Sequence, residues 1–140
     1  MRVMVVDDSV LVRAGIVKLL EAAGYADVVE AGDAVEAMEV VATTEVHAAV
    51  VDIRMPPTET DEGLVLADAL RAQGIATLVL SQYLEAHFAL QLLTDRPAGA
   101  GYLLKDRVYD GAGLADALRR VTDDRFPQRR PRLLRDAGHA

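Results

Sequence analysis

The sequence predicts a doubly wound α/β domain, in which helices cover both faces of a parallel β-sheet. Two patterns alternate along the chain: short, almost wholly apolar runs, and longer segments whose apolar residues recur with helical period. Apolar runs of about four residues without polar alternation are typical of strands that are buried on both faces. Strands that alternate with helices form parallel sheets through crossover connections, so the alternation predicts the architecture.

The strands are expected at five short segments. Four are apolar runs at residues 3–6, 48–51, 77–80 and 102–104, and a weaker candidate lies at residues 27–30. The four runs lack the alternation of apolar and polar residues that is typical of a sheet with one solvent-exposed face. We therefore expect the sheet to lie between two layers of helices.

Helices are expected between the strands, and four of them carry a clear apolar stripe. These stripes are Val12, Ile16, Leu19, Leu20 and Ala23; Ala34, Ala37, Met38 and Val41; Ala86, Ala89, Leu90 and Leu93; and Leu114, Ala117, Leu118 and Val121. Residues 62–72 form a fifth helix with a less regular pattern. Capping residues fit the five segments, because Ser9, Asp33 and Asp110 precede helices and Gly24 and Gly74 follow them.

Few topologies suit this alternation, because crossovers between parallel strands are almost always right-handed. The flavodoxin-like strand order 2-1-3-4-5 is one of the two common orders for a doubly wound sheet. We expect that order, with five surrounding helices, over residues 1–122. Residues 123–140 contain two prolines and clustered arginines with little periodicity, so they are expected to form a flexible, basic tail.

The composition of the chain argues against several classes of function. Residues 1–122 carry 19 acidic and 10 basic side chains, whereas residues 123–140 carry 3 and 5. An acidic body disfavours direct nucleic-acid binding, because phosphates repel it. The tail is interpreted as a solvated end, with an arm for an acidic partner as the alternative. The absence of cysteine excludes disulfides and thiolate metal sites. No apolar run approaches a membrane span, so we expect a cytoplasmic protein that does not bind membranes.

Polar side chains follow four of the predicted strands. Asp7 and Asp8 follow the first strand, Asp52 the third, Ser81 the fourth and Lys105 the fifth. Ligands of open α/β sheets bind outside the carboxyl ends of the strands. In the order 2-1-3-4-5, Asp52 is central, with the acidic pair on one side and the hydroxyl and ammonium groups on the other.

This set of side chains suits magnesium-dependent phosphoryl transfer. Two carboxylates 4 Å apart repel by about 1 kcal/mol in water and about 4 kcal/mol near a protein surface. Mg²⁺ would relieve that repulsion and would keep a coordination place for a phosphate oxygen. Lys105 and Ser81 can each bind a phosphoryl oxygen, and Asp52 can attack phosphorus to become an aspartyl phosphate.

Four segments carry a resemblance to a known family. The stretches "VVDDS", "VVDIRMP", "LVLSQ" and "GYLLKD" resemble the signatures of receiver domains in bacterial two-component response regulators. The last two are most similar to receivers of the NarL/LuxR class. The resemblance extends over residues 1–122 and implies a signalling phospho-acceptor rather than an enzyme acting on other substrates.

The resemblance implies a role for each matching position. Asp52 is the phospho-acceptor, Ser81 and Lys105 contact the phosphoryl group, and Tyr102 is the switch aromatic coupled to Ser81. The donor is a histidine kinase or a phosphotransfer protein. The expected output is a change in a protein-interaction surface, with a homodimer as one form, normally leading to transcription regulation.

The same resemblance implies a Mg²⁺ site. Asp8 binds the ion directly, Asp7 helps through water, and Asp52 and the backbone carbonyl of Arg54 complete the protein ligands. Nothing in the sequence suggests nucleotide binding, because it contains neither a P-loop nor a glycine-rich dinucleotide fingerprint.

Three features depart from the family pattern. Asp106 stands where the family usually has a proline after the lysine, so we expect a trans peptide bond there. The acidic loop that includes residues 57–62 is three residues longer than usual. The chain ends at Ala140 without a helix-turn-helix domain, so we expect a stand-alone receiver, a truncated product or an excised domain.

Two other functions remain open from the residues alone. A Mg²⁺-dependent phosphohydrolase of haloacid-dehalogenase type could use the same aspartate nucleophile, but Arg54 occupies the position of its acid/base aspartate and no cap domain is present. A degenerate receiver could act as a docking module that does not depend on phosphorylation.

Overall fold

The five strands form one parallel sheet, and the computed structural model describes residues 1–53, 62–81, 100–104, 108 and 111–125 of the chain. The strands are β1 (Arg2–Val6), β2 (Asp27–Ala31), β3 (Ala48–Asp52), β4 (Ala76–Ser81) and β5 (Ala100–Leu104). They lie in the order β2-β1-β3-β4-β5. This confirms the predicted flavodoxin-like order, including the weaker candidate strand.

Four helices lie within the described part of the chain. They are α1 (Val10–Ala22), α2 (Ala34–Thr43), α3 (Glu62–Ala72) and α4 (Gly111–Arg125). The helix predicted around residues 86–93 falls outside the described residues, as do residues 126–140 of the predicted tail. Helix α4 continues to Arg125, three residues beyond the predicted domain boundary. None of the described helices has both the length and the apolar character needed to cross a membrane.

Two apolar clusters, one on each face of the sheet, explain why the strands show no polar alternation. Successive residues of a strand point to opposite faces. Val3 and Val5 of β1 belong to one cluster, with Ile16 and Leu20 of α1 and Leu114 and Leu118 of α4. Met4 and Val6 belong to the other, with Ala37 of α2 and Leu66 and Leu70 of α3. Both strand faces are therefore covered.

The predicted stripe of α2 was wrong at one position. Met38 was placed on the buried face, but 37% of its surface is exposed. Ala34, Val40 and Val41 instead pack around the buried Ala37. The buried stripe is centred on Ala37, and successive residues of an α-helix are turned by about 100°, so Met38 lies at the margin of the stripe.

Side-chain caps begin the first two helices as predicted. The Ser9 hydroxyl accepts a hydrogen bond from the Val12 backbone amide at 3.2 Å, and the Asp33 carboxylate accepts one from the Glu36 amide at 2.8 Å. The predicted terminal glycines, Gly24 and Gly74, have φ values of 102° and 86°. These left-handed conformations turn the chain from a helix toward the next strand at little steric cost.

The strand register brings the carboxyl ends of the central strands to one edge of the sheet. Val6 pairs with Val51, so Asp7 and Asp52 are the next residues of neighbouring strands. Asp52 pairs in turn with Leu80 of β4. Any group at the tip of β3 is thus flanked by the tips of β1 and β4.

Candidate functional site

Three carboxylates meet at the carboxyl edge of the sheet. Asp7 and Asp8 follow β1, and Asp52 is the last residue of β3. One oxygen from each carboxylate lies within 4.8 Å of the other two. Asp7 and Asp52 are 1% and 5% exposed, whereas Asp8 is open to solvent. The cluster therefore has two buried members and one accessible member.

The turn between β1 and α1 fixes Asp7 on several sides. Its backbone amide donates to the Ala31 carbonyl at 3.1 Å, which continues the pairing of β1 with β2. Its carboxylate accepts a hydrogen bond from the Ser9 amide at 2.9 Å. Ser9 then caps α1, so a tight polar turn joins the strand to the helix.

Arg13 is a participant that the sequence analysis missed. From α1, it donates through Nη1 to the Asp7 backbone carbonyl at 2.7 Å and through Nε to Oε1 of Glu30 at 2.8 Å. Its side chain is 17% exposed. The only sequence signal was its place one turn after the predicted cap, which does not reveal where a long side chain will reach.

Gly63 is a second residue that the analysis missed. Its backbone amide donates to the Ile53 carbonyl at 2.7 Å. A Cβ atom at this position would overlap the Asp52 carbonyl oxygen and lie 2.5 Å from the Ile53 Cα atom. Only glycine lets the start of α3 approach the end of β3 this closely, so the backbone of Asp52 is packed directly against the helix that follows it.

The electrostatics of the cluster favour a cation. Like charges about 4 Å apart repel by about 4 kcal/mol at the effective dielectric constant near a protein surface. Carboxylate oxygens are the ligands that hard divalent cations such as Mg²⁺ prefer. The donor set of Asp7, Asp8 and Asp52 therefore fits a divalent cation, and it can do so with solvent access from the side of Asp8.

The structure describes the other predicted site residues only in part. Ser81 ends β4 and Tyr102 lies in β5, but only their backbone positions are described. Ser81 pairs with Leu104, which immediately precedes Lys105 in the sequence. Lys105 and Arg54 lie outside the described residues.

Comparison with known proteins gives the class of the molecule. The family model described as "Response regulator receiver domain" matches residues 3–117. The chain therefore belongs to the receiver domain family of response regulators, the signalling proteins of two-component systems. Its relatives place it more narrowly in the NarL/LuxR class, as the resemblance of its motifs predicted.

Three relatives illustrate the similarity. The nitrate/nitrite response regulator protein NarP of Escherichia coli (strain K12) is 36% identical over 121 residues, which are 84% of this chain and 53% of NarP. The crystal structure of a LuxR-family response regulator from Aurantimonas sp. SI85-9A1 has a TM-score of 0.73 at 30% identity, covering 86% of this chain and 84% of that one.

The third relative is a response regulator protein from Burkholderia pseudomallei, with a TM-score of 0.71 at 27% identity. The match covers 91% of this chain and 70% of that one. Its structure contains a phosphorylated aspartic acid, a calcium ion and citrate. The present chain spans about half the length of the curated relatives that it matches.

Proposed function

We propose that the chain is a phosphorylation switch in which Asp52 accepts a phosphoryl group from a histidine kinase or a phosphotransfer protein. The observation that carries this proposal is the convergence of Asp7, Asp8 and Asp52, with one oxygen of each within 4.8 Å of the others. Membership of the receiver family supports it. Further support comes from the Burkholderia relative, whose structure contains a phosphorylated aspartic acid and a calcium ion.

The transfer needs a carboxylate nucleophile, and Asp52 supplies it. One Asp52 oxygen attacks the phosphorus of a phosphohistidine, and the new O–P bond forms as the P–N bond breaks. The donor imidazole leaves with the electron pair of that bond and is neutral once protonated. The product is an acyl phosphate, so the reaction requires no oxidant and no further co-reactant.

Asp7 and Asp8 are proposed to hold Mg²⁺ next to Asp52, with the Arg54 backbone carbonyl as a further ligand. The bound ion supplies positive charge that offsets the carboxylates and the incoming phosphoryl oxygens. The buried, hydrogen-bonded Asp7 has little freedom to reorient. The exposed Asp8 leaves the cation accessible from solvent.

Lys105 and Ser81 are proposed to bind the transferred phosphoryl group, and Tyr102 is proposed to respond to the change at Ser81. The pairing of Ser81 with Leu104 supports this arrangement, because Lys105 is the next residue in the sequence after Leu104. A phosphoryl group adds about −1.5 to −2 charges at neutral pH. That charge would draw the hydroxyl and ammonium groups toward Asp52 and change the surface formed by β5 and its neighbours.

The surface beside the site suits a protein donor. Val10 and Leu11 in the first turn of α1 are 69% and 82% exposed, immediately after the Asp7–Ser9 turn. These two side chains offer an apolar contact area to another protein next to the acidic cluster. We propose that the donor covers them during transfer and that the output is another protein contact, with a homodimer as one form, rather than direct nucleic-acid binding by this chain.

The first test uses a small phosphodonor. The chain is incubated with Mg²⁺ and acetyl phosphate, and its intact mass should increase by one phosphoryl group. Asp52→Asn should abolish the adduct because it removes the nucleophilic oxygen. Asp27→Asn is the matched control, since it makes the same change in an exposed aspartate at the start of β2, away from the site.

The outcomes separate the proposal from its rivals. An adduct in both aspartate variants, or none in the wild-type chain with Mg²⁺, would count against Asp52 as the acceptor. Rapid multiple turnover of phosphate esters would instead indicate a phosphohydrolase. Partner binding that is identical in wild type and Asp52→Asn, with and without phosphodonor, would indicate a docking module.

A further inference from the structure

We propose that Arg13 is a positioning residue for the cation site, an inference that rests on the proposed Mg²⁺-dependent function. Arg13 lies on α1 and does not belong to the carboxylate cluster. It reaches the cluster through the backbone, because its guanidinium donates to the carbonyl oxygen of Asp7 at 2.7 Å. This carbonyl belongs to the peptide bond that links the two acidic residues.

The contact determines the orientation of that peptide. The peptide unit is planar, so anchoring its oxygen restricts ψ of Asp7 and φ of Asp8 together. The preceding peptide is anchored as well, because the Asp7 amide donates to the Ala31 carbonyl at 3.1 Å. Asp8 itself is exposed. The direction of its side chain therefore depends on how the backbone before it is held.

The positive charge of Arg13 would by itself repel a bound Mg²⁺ ion. Its second contact, with the Glu30 carboxylate, offsets that repulsion. Its Nε atom lies 2.8 Å from Oε1 of Glu30 on β2. The planar guanidinium can serve two acceptors in different directions, which a lysine ammonium on a flexible stem does less well. With 17% of its side chain exposed, Arg13 is better fixed than an ordinary surface ion pair. Glu30 thus neutralises the charge while both contacts hold the geometry.

Charge and geometry predict opposite results when Arg13 is replaced by glutamine. If Arg13 acted only through its charge, its removal would make the site more negative and would tighten Mg²⁺ binding. If it positions the acidic pair, removal weakens Mg²⁺ binding despite the more favourable charge. Loss of a residue that orients a metal ligand typically weakens affinity about 10-fold or more.

The experiment measures the Mg²⁺ dissociation constant of the full chain by isothermal titration calorimetry. Arg13→Gln should weaken binding about 10-fold. With acetyl phosphate as donor, the Mg²⁺ concentration for half-maximal phosphorylation should rise by a similar factor. The rate at saturating Mg²⁺ should stay near the wild-type rate, because Arg13 does not touch the reacting atoms. A general loss of structure would lower that rate as well.

Arg2→Gln is the matched control. Arg2 also bridges a carboxylate and a backbone carbonyl, Asp27 and that of Glu45, but it lies at the amino end of β1. Its replacement should leave the Mg²⁺ dissociation constant unchanged. Unchanged or tighter Mg²⁺ binding in Arg13→Gln would overturn the proposal, and so would an equal weakening in Arg2→Gln.

A second variant covers the case in which Arg13→Gln does not fold. Arg13→Lys keeps the positive charge but loses the planar fork that serves both acceptors. Weaker Mg²⁺ binding would support the positioning role, and unchanged binding would overturn it. Failure of the wild-type chain to bind Mg²⁺ would contradict the proposed function itself. Equal Mg²⁺ binding by wild type and variant would contradict only the positioning role of Arg13.

Discussion

At the scale of single residues, Asp8 is the member of the acidic cluster whose position costs stability and serves the proposed function. Its carboxylate lies near those of Asp7 and Asp52, and it makes the cluster more negative without being buried. Functional sites often contain such locally unfavourable arrangements, since stability is not what they are selected for. The cost should be visible when no cation is present.

Asp8→Asn should therefore raise the free energy of unfolding of the metal-free chain by about 1 kcal/mol, the scale of the repulsion between two charges 4 Å apart in water. Urea unfolding in the presence of EDTA measures this change. Addition of Mg²⁺ should stabilise the wild type and have less effect on the variant, because ligand binding to the folded state adds stability only where the site is intact. A variant that is less stable than wild type in EDTA would contradict this expectation.

At the scale of secondary-structure elements, the junction between β3 and α3 depends on Gly63. The backbone approach at this junction leaves no space for a Cβ atom beside the Asp52 carbonyl oxygen. Because the Gly63 amide also donates to the Ile53 carbonyl, a shift of the helix would break a hydrogen bond at the tip of the strand that carries Asp52. The junction thus couples the packing of α3 to the site.

Gly63→Ala should destabilise the chain by at least about 2 kcal/mol, because the added methyl group must displace backbone atoms. Gly15→Ala is the matched control, since nothing lies within 4 Å of its Cβ position in the middle of α1. It should stabilise the chain by about 0.5–1 kcal/mol through better helix propensity. Chemical denaturation of the two variants measures both values, and equal effects would contradict the packing argument.

At the scale of the whole molecule, the segment after α1 meets helix α4 through Tyr25. Tyr25 packs against the cluster that α1 and α4 share, and its phenol lies near Arg119 and Asp123 of α4. Burial raises the pKa of the Tyr25 phenol above its ordinary value of 10.0, with Asp123 raising it further and Arg119 opposing the shift. Alkaline pH should therefore weaken this packing.

The sign of the effect follows from the raised pKa. The unfolded chain releases the phenolic proton near pH 10.0, before the folded chain does. Stability from the protonated phenol is therefore fully present below pH 10.0 and is lost as the pH rises through the folded-state value. Tyr25→Phe should make the decline of unfolding free energy above that pH shallower, and thermal unfolding as a function of pH measures it. An unchanged slope would contradict the prediction.

Much of this molecule could be predicted because its signals are local. The apolar runs, the caps Ser9 and Asp33, and the glycines after α1 and α3 depend on residues close in sequence. The meeting of Asp7, Asp8 and Asp52 required one further step, the strand order, which the handedness of crossovers restricts. The acidic part of the proposed site followed from these two kinds of information.

The features that escaped prediction depend on contacts between distant segments. The two acceptors of Arg13 lie on different strands, and nothing near residue 13 indicates them. The need for glycine at position 63 arises from backbone atoms at the end of β3, which lie well before it in the sequence. Helix α4 also runs on to Arg125, past the change in composition at residue 123 that suggested a boundary. Such features are set by tertiary structure rather than by local pattern.

The contacts at the two ends of β2, an outermost strand of the sheet, should affect how that strand opens. β2 has β1 as its single neighbour among the described strands, yet arginines hold both of its ends, Arg2 through Asp27 and Arg13 through Glu30. A strand at the border of a sheet would ordinarily fray from its termini. Here amide hydrogen exchange at the two ends of β2 should be slowed toward the rate in the middle of the strand.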